Sequence, residues 1–226
     1  GCVTGHTRYI AKKGNTVVES VGLYSHIEKI TKVLESRIGS CVGADGAIFS
    51  IRKDLYRTLR ATDINDFVIP LQIVAQGYRT VFEKNAYCNE ETAYDSKGEF
   101  ERQVRITNRT LRALFSKNGL LNSFRHKFFS FMLISHKLVK LLVPLFLTTL
   151  LLSNLILFRR NLLYKGFFAL QTTFYSLAAI QSEKSNSPLA SLYSICRTFV
   201  VVNAAILKGW ITYYKGNDFT TWKTNR

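Results

Sequence analysis

Three clusters of residues have the types and spacing to do chemistry. The first centres on Asp66, which follows Asn65 at the start of an apolar, periodic stretch from Ile64 to Gln76. That periodicity predicts a helix, with Thr62 and Asp63 as caps, Gly77 as its breaker and a strand over Tyr78–Phe82. A carboxylate at the N-terminal end of a helix is held in place, and the helix dipole keeps it ionised. It can take a proton from a hydroxyl, or it can be an ordinary helix-start acid. The second cluster is the small-residue run Gly43, Asp45, Gly46 and Ala47. Its glycines either clear a path for a ligand or make a tight turn. Asp45 is either a contact for a hydroxyl or a turn residue. The third is a basic stripe, Arg102, Arg105, Arg109 and Arg112, with Gln103 beside it. Spacings of 3, 4 and 3 put the arginines on one helix face, with Phe100, Val104, Leu111 and Phe115 on another. Such a helix suits an anionic membrane surface.

The elements that must position these groups differ along the chain. Residues 1–100 carry 13 basic and 12 acidic side chains, whereas residues 101–226 carry 18 basic and only 3 acidic ones. The basic half is also the more apolar half, a pairing that favours a membrane protein over a nucleic-acid binder. Residues 1–98 read as mixed α/β, with short strands at Val17–Tyr24 and Gly46–Ile51 and a helix at Ser25–Ser36. Residues 99–140 read as basic amphipathic helices at an interface, the second being Ser123–Lys140. Residues 141–226 read as membrane helices and a tail. Leu141–Phe158 is a run of 18 uncharged residues, about the length that crosses a hydrocarbon core. Gly166–Ser182 is a more polar candidate, and Leu192–Tyr213 is interrupted by Arg197 and Lys208. Ser153, Asn154, Gln171 and Asn203 within these runs either line a polar path or bond helix to helix. Cys2, Cys41, Cys88 and Cys196 are scattered, as are the four histidines, with no metal-ligand spacing.

Taken in order, these motifs resemble the membrane-bound family 2 glycosyltransferases of GT-A fold, which include cellulose, chitin, hyaluronan and poly-N-acetylglucosamine synthases. The likeness is carried by Gly43, Gly46 and Ala47 leading to Arg52, and by Asn65-Asp66-Phe67 with Gly77-Tyr78-Arg79 and Asn89-Glu90-Glu91. It continues through Arg102-Gln103-x-Arg105, Ile134-Ser135-His136-Lys137 and the terminal Trp222-x-Thr224-x-Arg226. The resemblance implies an α/β chain: the C-terminal half of a GT-A domain, then interface helices and two to three membrane helices. It implies that Asp66 is the catalytic base and that Gly43, Asp45, Gly46 and Ala47 face the acceptor. Arg102, Gln103, Arg105, Trp222, Thr224 and Arg226 would bind the nucleotide diphosphate, with Trp222 alternatively an interfacial anchor. The chain departs from the family pattern in having Asn65 where a second acid is usual, Arg102 where Gln is usual, and Ile106 where Trp is usual.

The implied reaction is inverting transfer from a nucleotide-diphospho-sugar to a polysaccharide or lipid-linked acceptor at the inner (plasma) membrane. The catalytic part would be cytoplasmic and the chain multi-pass, in contact with membrane lipids and with no nucleic acid. The Mg²⁺ or Mn²⁺ of such enzymes would be held by an Asp-x-Asp motif, which this chain lacks. With its only methionine at Met132, the chain is expected to be the C-terminal part of a longer enzyme, inactive alone. The competing expectation is a non-catalytic adaptor whose basic helices bind anionic lipid or a partner protein. A nucleic-acid binder, motivated by the charge of +16 alone, is disfavoured by the 141–158 run.

Overall fold

The computed structural model describes residues 1–10, 17–91, 96–115, 120–121, 123–180 and 188–219. It is a mixed α/β structure in which a small sheet is packed by helices. Strand β1 (Cys2–Ile10) lies in the middle. It pairs antiparallel with β2 (Phe49–Ile51) and parallel with β3 (Thr80–Glu91). The β1–β3 register breaks between Thr4 and His6, where β3 bulges. Gly5 sits at that break, and a Cβ there would lie 2.1 Å from the Ala86 carbonyl oxygen. Glycine is the residue that lets the two backbones approach so closely.

Helix α1 (Val17–Ile38) connects β1 to the glycine-containing loop. The strand expected at Val17–Tyr24 is therefore corrected: those residues are the first turns of the helix expected only from Ser25. Helix α2 (Asn65–Ala75) falls where the apolar periodicity put it. Its caps do not: the N-cap is Ile64, and Asp63 instead accepts from the Arg60 amide and guanidinium at 2.9 Å. The end of α2 is a Schellman motif. Gly77 adopts φ +83°, while the Gly77 and Tyr78 amides donate back to Val74 and Ile73.

Helix α3 (Ser96–Leu114) carries the basic stripe. Helix α4 (Ser123–Leu133) passes through a π turn at Ile134–Leu138 directly into α5 (Val139–Leu157). The helix is thus continuous from Ser123 through Leu157, across the boundary between residues 140 and 141. Helix α6 (Leu162–Ala179) returns along it, with Asn161 capping its first turn by accepting from the Leu163 amide. Helix α7 (Pro188–Tyr214) completes the chain's described elements.

Two helical stretches are long and apolar enough to cross a membrane, Phe128–Leu157 with mean hydropathy 1.9 and Leu192–Tyr214 with mean hydropathy 1.3. On α5 and α6 the apolar side chains face outward, Ile156 being 78% and Leu162 80% exposed, while Asn154 is buried. Asn154 bonds across to Gln171, which also donates to the Leu147 carbonyl and to Tyr175. Asn154 and Gln171 therefore bond helix to helix, and Asn203 donates within its own helix to Phe199.

One apolar core joins the parts. It takes Val42 from the loop, Phe67, Val68 and Leu71 from α2, Leu111 and Leu114 from α3, Met132 and Leu133 from α4, and Ile206 and Trp210 from α7. Trp210 satisfies its indole N–H on the Leu141 carbonyl at 2.8 Å. Burying aromatic and aliphatic surface on this scale is the main force holding the α/β part against the apolar helices. A smaller cluster of Cys2, Leu55, Ile69 and Ile73 seals the other side of α2 against the sheet.

Candidate functional site

Asp66 is in the first turn of α2, and its backbone is held at both its amide and its carbonyl. Asn65 accepts the Asp66 amide on its side-chain oxygen at 2.9 Å. The Asp66 carbonyl accepts the Ala44 amide at 2.7 Å. That carbonyl is free because its helical partner would be the nitrogen of Pro70, four residues on, which has no hydrogen. The proline that sits inside α2 thus hands the Asp66 carbonyl to the loop, and residues 43–47 close over the carboxylate.

The two glycines differ in what they do. A Cβ on Gly46 would lie 3.2 Å from Asp66 Oδ2, tight enough to displace the carboxylate. A Cβ on Gly43 would meet the Asp66 carbonyl, Phe67 and Lys137 at 3.7–3.8 Å, which is ordinary contact. Oδ1 of Asp66 is buried and accepts no hydrogen bond among the described residues. Burial pushes the Asp66 carboxyl above the usual carboxylate range; Lys137 opposes that, Lys32 opposes it less, and Asp45 adds to it. A carboxylate raised in this way is a better proton acceptor than a free aspartate at the same pH.

Asp45 is an anchor for the loop. Its carboxylate accepts from the Thr7 hydroxyl at 2.7 Å, the Thr7 amide at 3.0 Å and the Ala47 amide at 3.2 Å. Its own amide donates to Thr4 on β1, and Lys32 lies 3.6 Å from its Oδ2. Beneath the loop, buried Glu35 of α1 accepts the Val42 amide at 3.0 Å and lies 2.6 Å from His136 Nδ1. Glu28, about two turns earlier, meets Lys140 at 3.3 Å and His136 at 3.5 Å. The π turn at the foot of α5 is thereby tied through α1 to the loop that covers Asp66. Sequence reasoning passed over Lys32 and Glu35, although Glu28, Lys32 and Glu35 fall at spacings of 4 and 3 on one helix face.

The remaining expected residues lie elsewhere. Arg102 pairs with Glu99 at 2.7 Å on its own helix, and Gln103 donates to the same carboxylate. Arg105 is half-buried, and burial together with Arg109 and Arg102 lowers its pKa. Arg109 donates to the Phe219 carbonyl. Arg112 donates to the Asn217 carbonyl and pairs with Asp218 at 2.8 Å. Half of the stripe therefore grips the segment 217–219, which leads toward Trp222, Thr224 and Arg226; those three lie outside the described residues. Arg52 stacks loosely over Tyr78, 5.9 Å from the ring centroid. No set of three or more His, Cys, Asp or Glu side chains among the described residues is placed to hold a metal. The Mg²⁺ or Mn²⁺ implied by the resemblance does not fit here, and no step below runs through it.

No protein-family model matches the chain, and no curated protein is significantly similar to it.

Proposed function

We propose that this chain is the acceptor-side and membrane part of an inverting GT-A glycosyltransferase, with Asp66 as its base. In this reading the acceptor hydroxyl approaches beneath Gly46. Its proton passes to Asp66 Oδ1 or Oδ2 as its oxygen bonds to the anomeric carbon of a nucleotide-diphospho-sugar. The bond from that carbon to the diphosphate breaks, and the nucleotide diphosphate leaves with the electron pair. The acceptor is a glycan or a lipid-linked sugar at the inner membrane, which α5 and α7 cross. The resemblance gives the leaving diphosphate to Arg102, Gln103 and Arg105 of α3, where arginine would balance the charge that develops on it.

The observation that carries this reading is the half-enclosed Asp66 carboxylate, with Oδ2 under Gly46 and the buried Oδ1 unpaired among the described residues. The adaptor reading asks instead that the basic helices bind anionic lipid or a partner protein; on α3, Arg102, Arg109 and Arg112 each also make a contact within the chain.

The test uses the full gene product in native-like membranes, offered labelled UDP- and GDP-sugars with Mg²⁺ or Mn²⁺. Sugar transfer that disappears in Asp66→Asn, at equal expression, is the expected result. Transfer retained by that variant overturns the assignment of the base.

A further inference from the structure

The cations around Asp66 are not equivalent. Lys32 of α1 is committed to Asp45, and Lys140 of α5 is held by Glu28. Lys137 makes no ion pair among the described residues. Its stem is laid against the glycine loop: Cε is 3.8 Å from the place a Cβ of Gly43 would take, and the Asp66 carbonyl oxygen is 3.7 Å from the same point. Its Nζ stands 5.9 Å from the ring centroid of Phe67, the residue after Asp66. Lys137 and the Asp66 backbone therefore meet beside Gly43.

The helix that delivers Lys137 is itself locked in rotation. His136 is clamped between Glu35 and Glu28 of α1. His136 and Lys137 are neighbours on the π turn, and with His136 seated on α1 the Lys137 ammonium lies beside Phe67 of α2. The site is thus completed by a residue 71 positions beyond Asp66, on the rod that continues into the first apolar helix.

We propose that Lys137 is a positioning residue for Asp66, the counter-ion that keeps its carboxylate charged and directed under the Gly46 turn. Its consequence for rate rests on the glycosyltransferase reading; the electrostatic pairing does not. The charged groups facing Asp66 are Lys137 from the π turn, Lys32 from α1 and Asp45 from the loop, so removing Lys137 leaves one paired cation and one anion.

The test is a titration of the Asp66 carboxyl carbon by NMR in the complete chain, ¹³C-aspartate-labelled, in lipid nanodiscs. The resonance is assigned by its loss in Asp66→Asn. Lys137→Met is expected to raise the midpoint by about one pH unit, and Lys137→Arg to leave it nearly unchanged. Lys137→Gln serves as a second neutral variant should Met disturb the fold. A midpoint unmoved in both neutral variants overturns the proposal, whatever the enzyme does. In the full gene product, the acid limb of kcat moves with the midpoint while KM stays constant. If Asp66→Asn retains turnover, the catalytic reading fails and the titration alone decides the pairing.

Discussion

Pro70 stands four residues after Asp66 in α2, and the hydrogen bond it cannot make to the Asp66 carbonyl is made by the Ala44 amide at 2.7 Å. A proline in the sixth position of a helix is costly in isolation, because it removes one backbone bond and crowds the carbonyl four residues back. Here the crowded carbonyl tilts outward to a loop that has an amide to offer. The local cost and the functional geometry are one feature.

Pro70→Ala restores an amide that competes for the same carbonyl. The helix gains its missing bond while the loop loses exclusive hold of Asp66. We expect the thermal midpoint to stay the same or rise, and exchange of the Ala44 amide proton to quicken by about fivefold to tenfold, equivalent to ~1 kcal/mol. On the proposed glycosyltransferase reading, sugar transfer would fall through kcat, since the loop would no longer fix the acceptor side. An Ala44 amide protected as before would show that the proline is incidental.

The two loop glycines separate under substitution. Gly46→Ala places a methyl 3.2 Å from Asp66 Oδ2, so the carboxylate must move; Gly43→Ala meets only ordinary contacts. Gly46→Ala is expected to lower kcat at least tenfold with a stability change under about 1 kcal/mol, as befits a partly open site. Gly43→Ala is expected to keep most activity. Equal losses from both would mean the loop responds to backbone stiffening rather than to contact with the base.

The Asp66 carboxyl also has a stability signature, independent of any role in turnover. Its carboxyl is raised by burial, so between the ordinary carboxylate pKa of about 3.9 and the raised value the folded chain binds more protons than the unfolded. Stability contributed by this group therefore falls as pH rises through that window, then levels off. Asp66→Asn has no such loss. The difference in thermal midpoint, variant minus wild type, should be smallest near pH 4 and grow toward neutrality. A difference constant with pH would place Asp66 in a solvated environment and remove the argument for it as a tuned base.

How far the sequence speaks for itself differs from element to element. Helix α2 was readable because eleven residues of apolar periodicity end at a glycine, and the Schellman turn at Gly77 follows from the same signal. Asp66 at its start was readable for the same reason. Val17–Tyr24 was misjudged because eight residues with paired valines fit a strand or a buried helix equally, and only continuity with the rest of α1 separates them. The ties of Glu35 to His136, and of Lys137 to the loop, span about a hundred residues of chain. No local period encodes such a contact. The role of Pro70 was hidden too, since a proline within an apolar helix reads as a defect until its vacant partner is seen to be used.

The helix packing can be tested with two glycines of opposite environment. Gly209 of α7 lies against α3: a Cβ there would sit 2.5 Å from Thr107 Cγ2 and 3.2 Å from the Val104 carbonyl oxygen. Gly166 of α6 has nothing within 4 Å of that position. The small residue at 209 lets the two backbones approach, as at close helix crossings generally. Gly209→Ala forces α7 away from α3, and overpacking of this kind costs about 1–3 kcal/mol. Because α7 ends in the segment held by Arg109 and Arg112, the same change should loosen residues 217–219. Gly166→Ala instead gains helix propensity, up to about 1 kcal/mol where the helix meets water and less where lipid already enforces it. Thermal midpoints in one detergent should therefore move in opposite directions. Should Gly209→Ala leave both the midpoint and the 217–219 segment unchanged, α7 does not rest on α3 through this contact, and the basic stripe is free to serve a partner outside the chain.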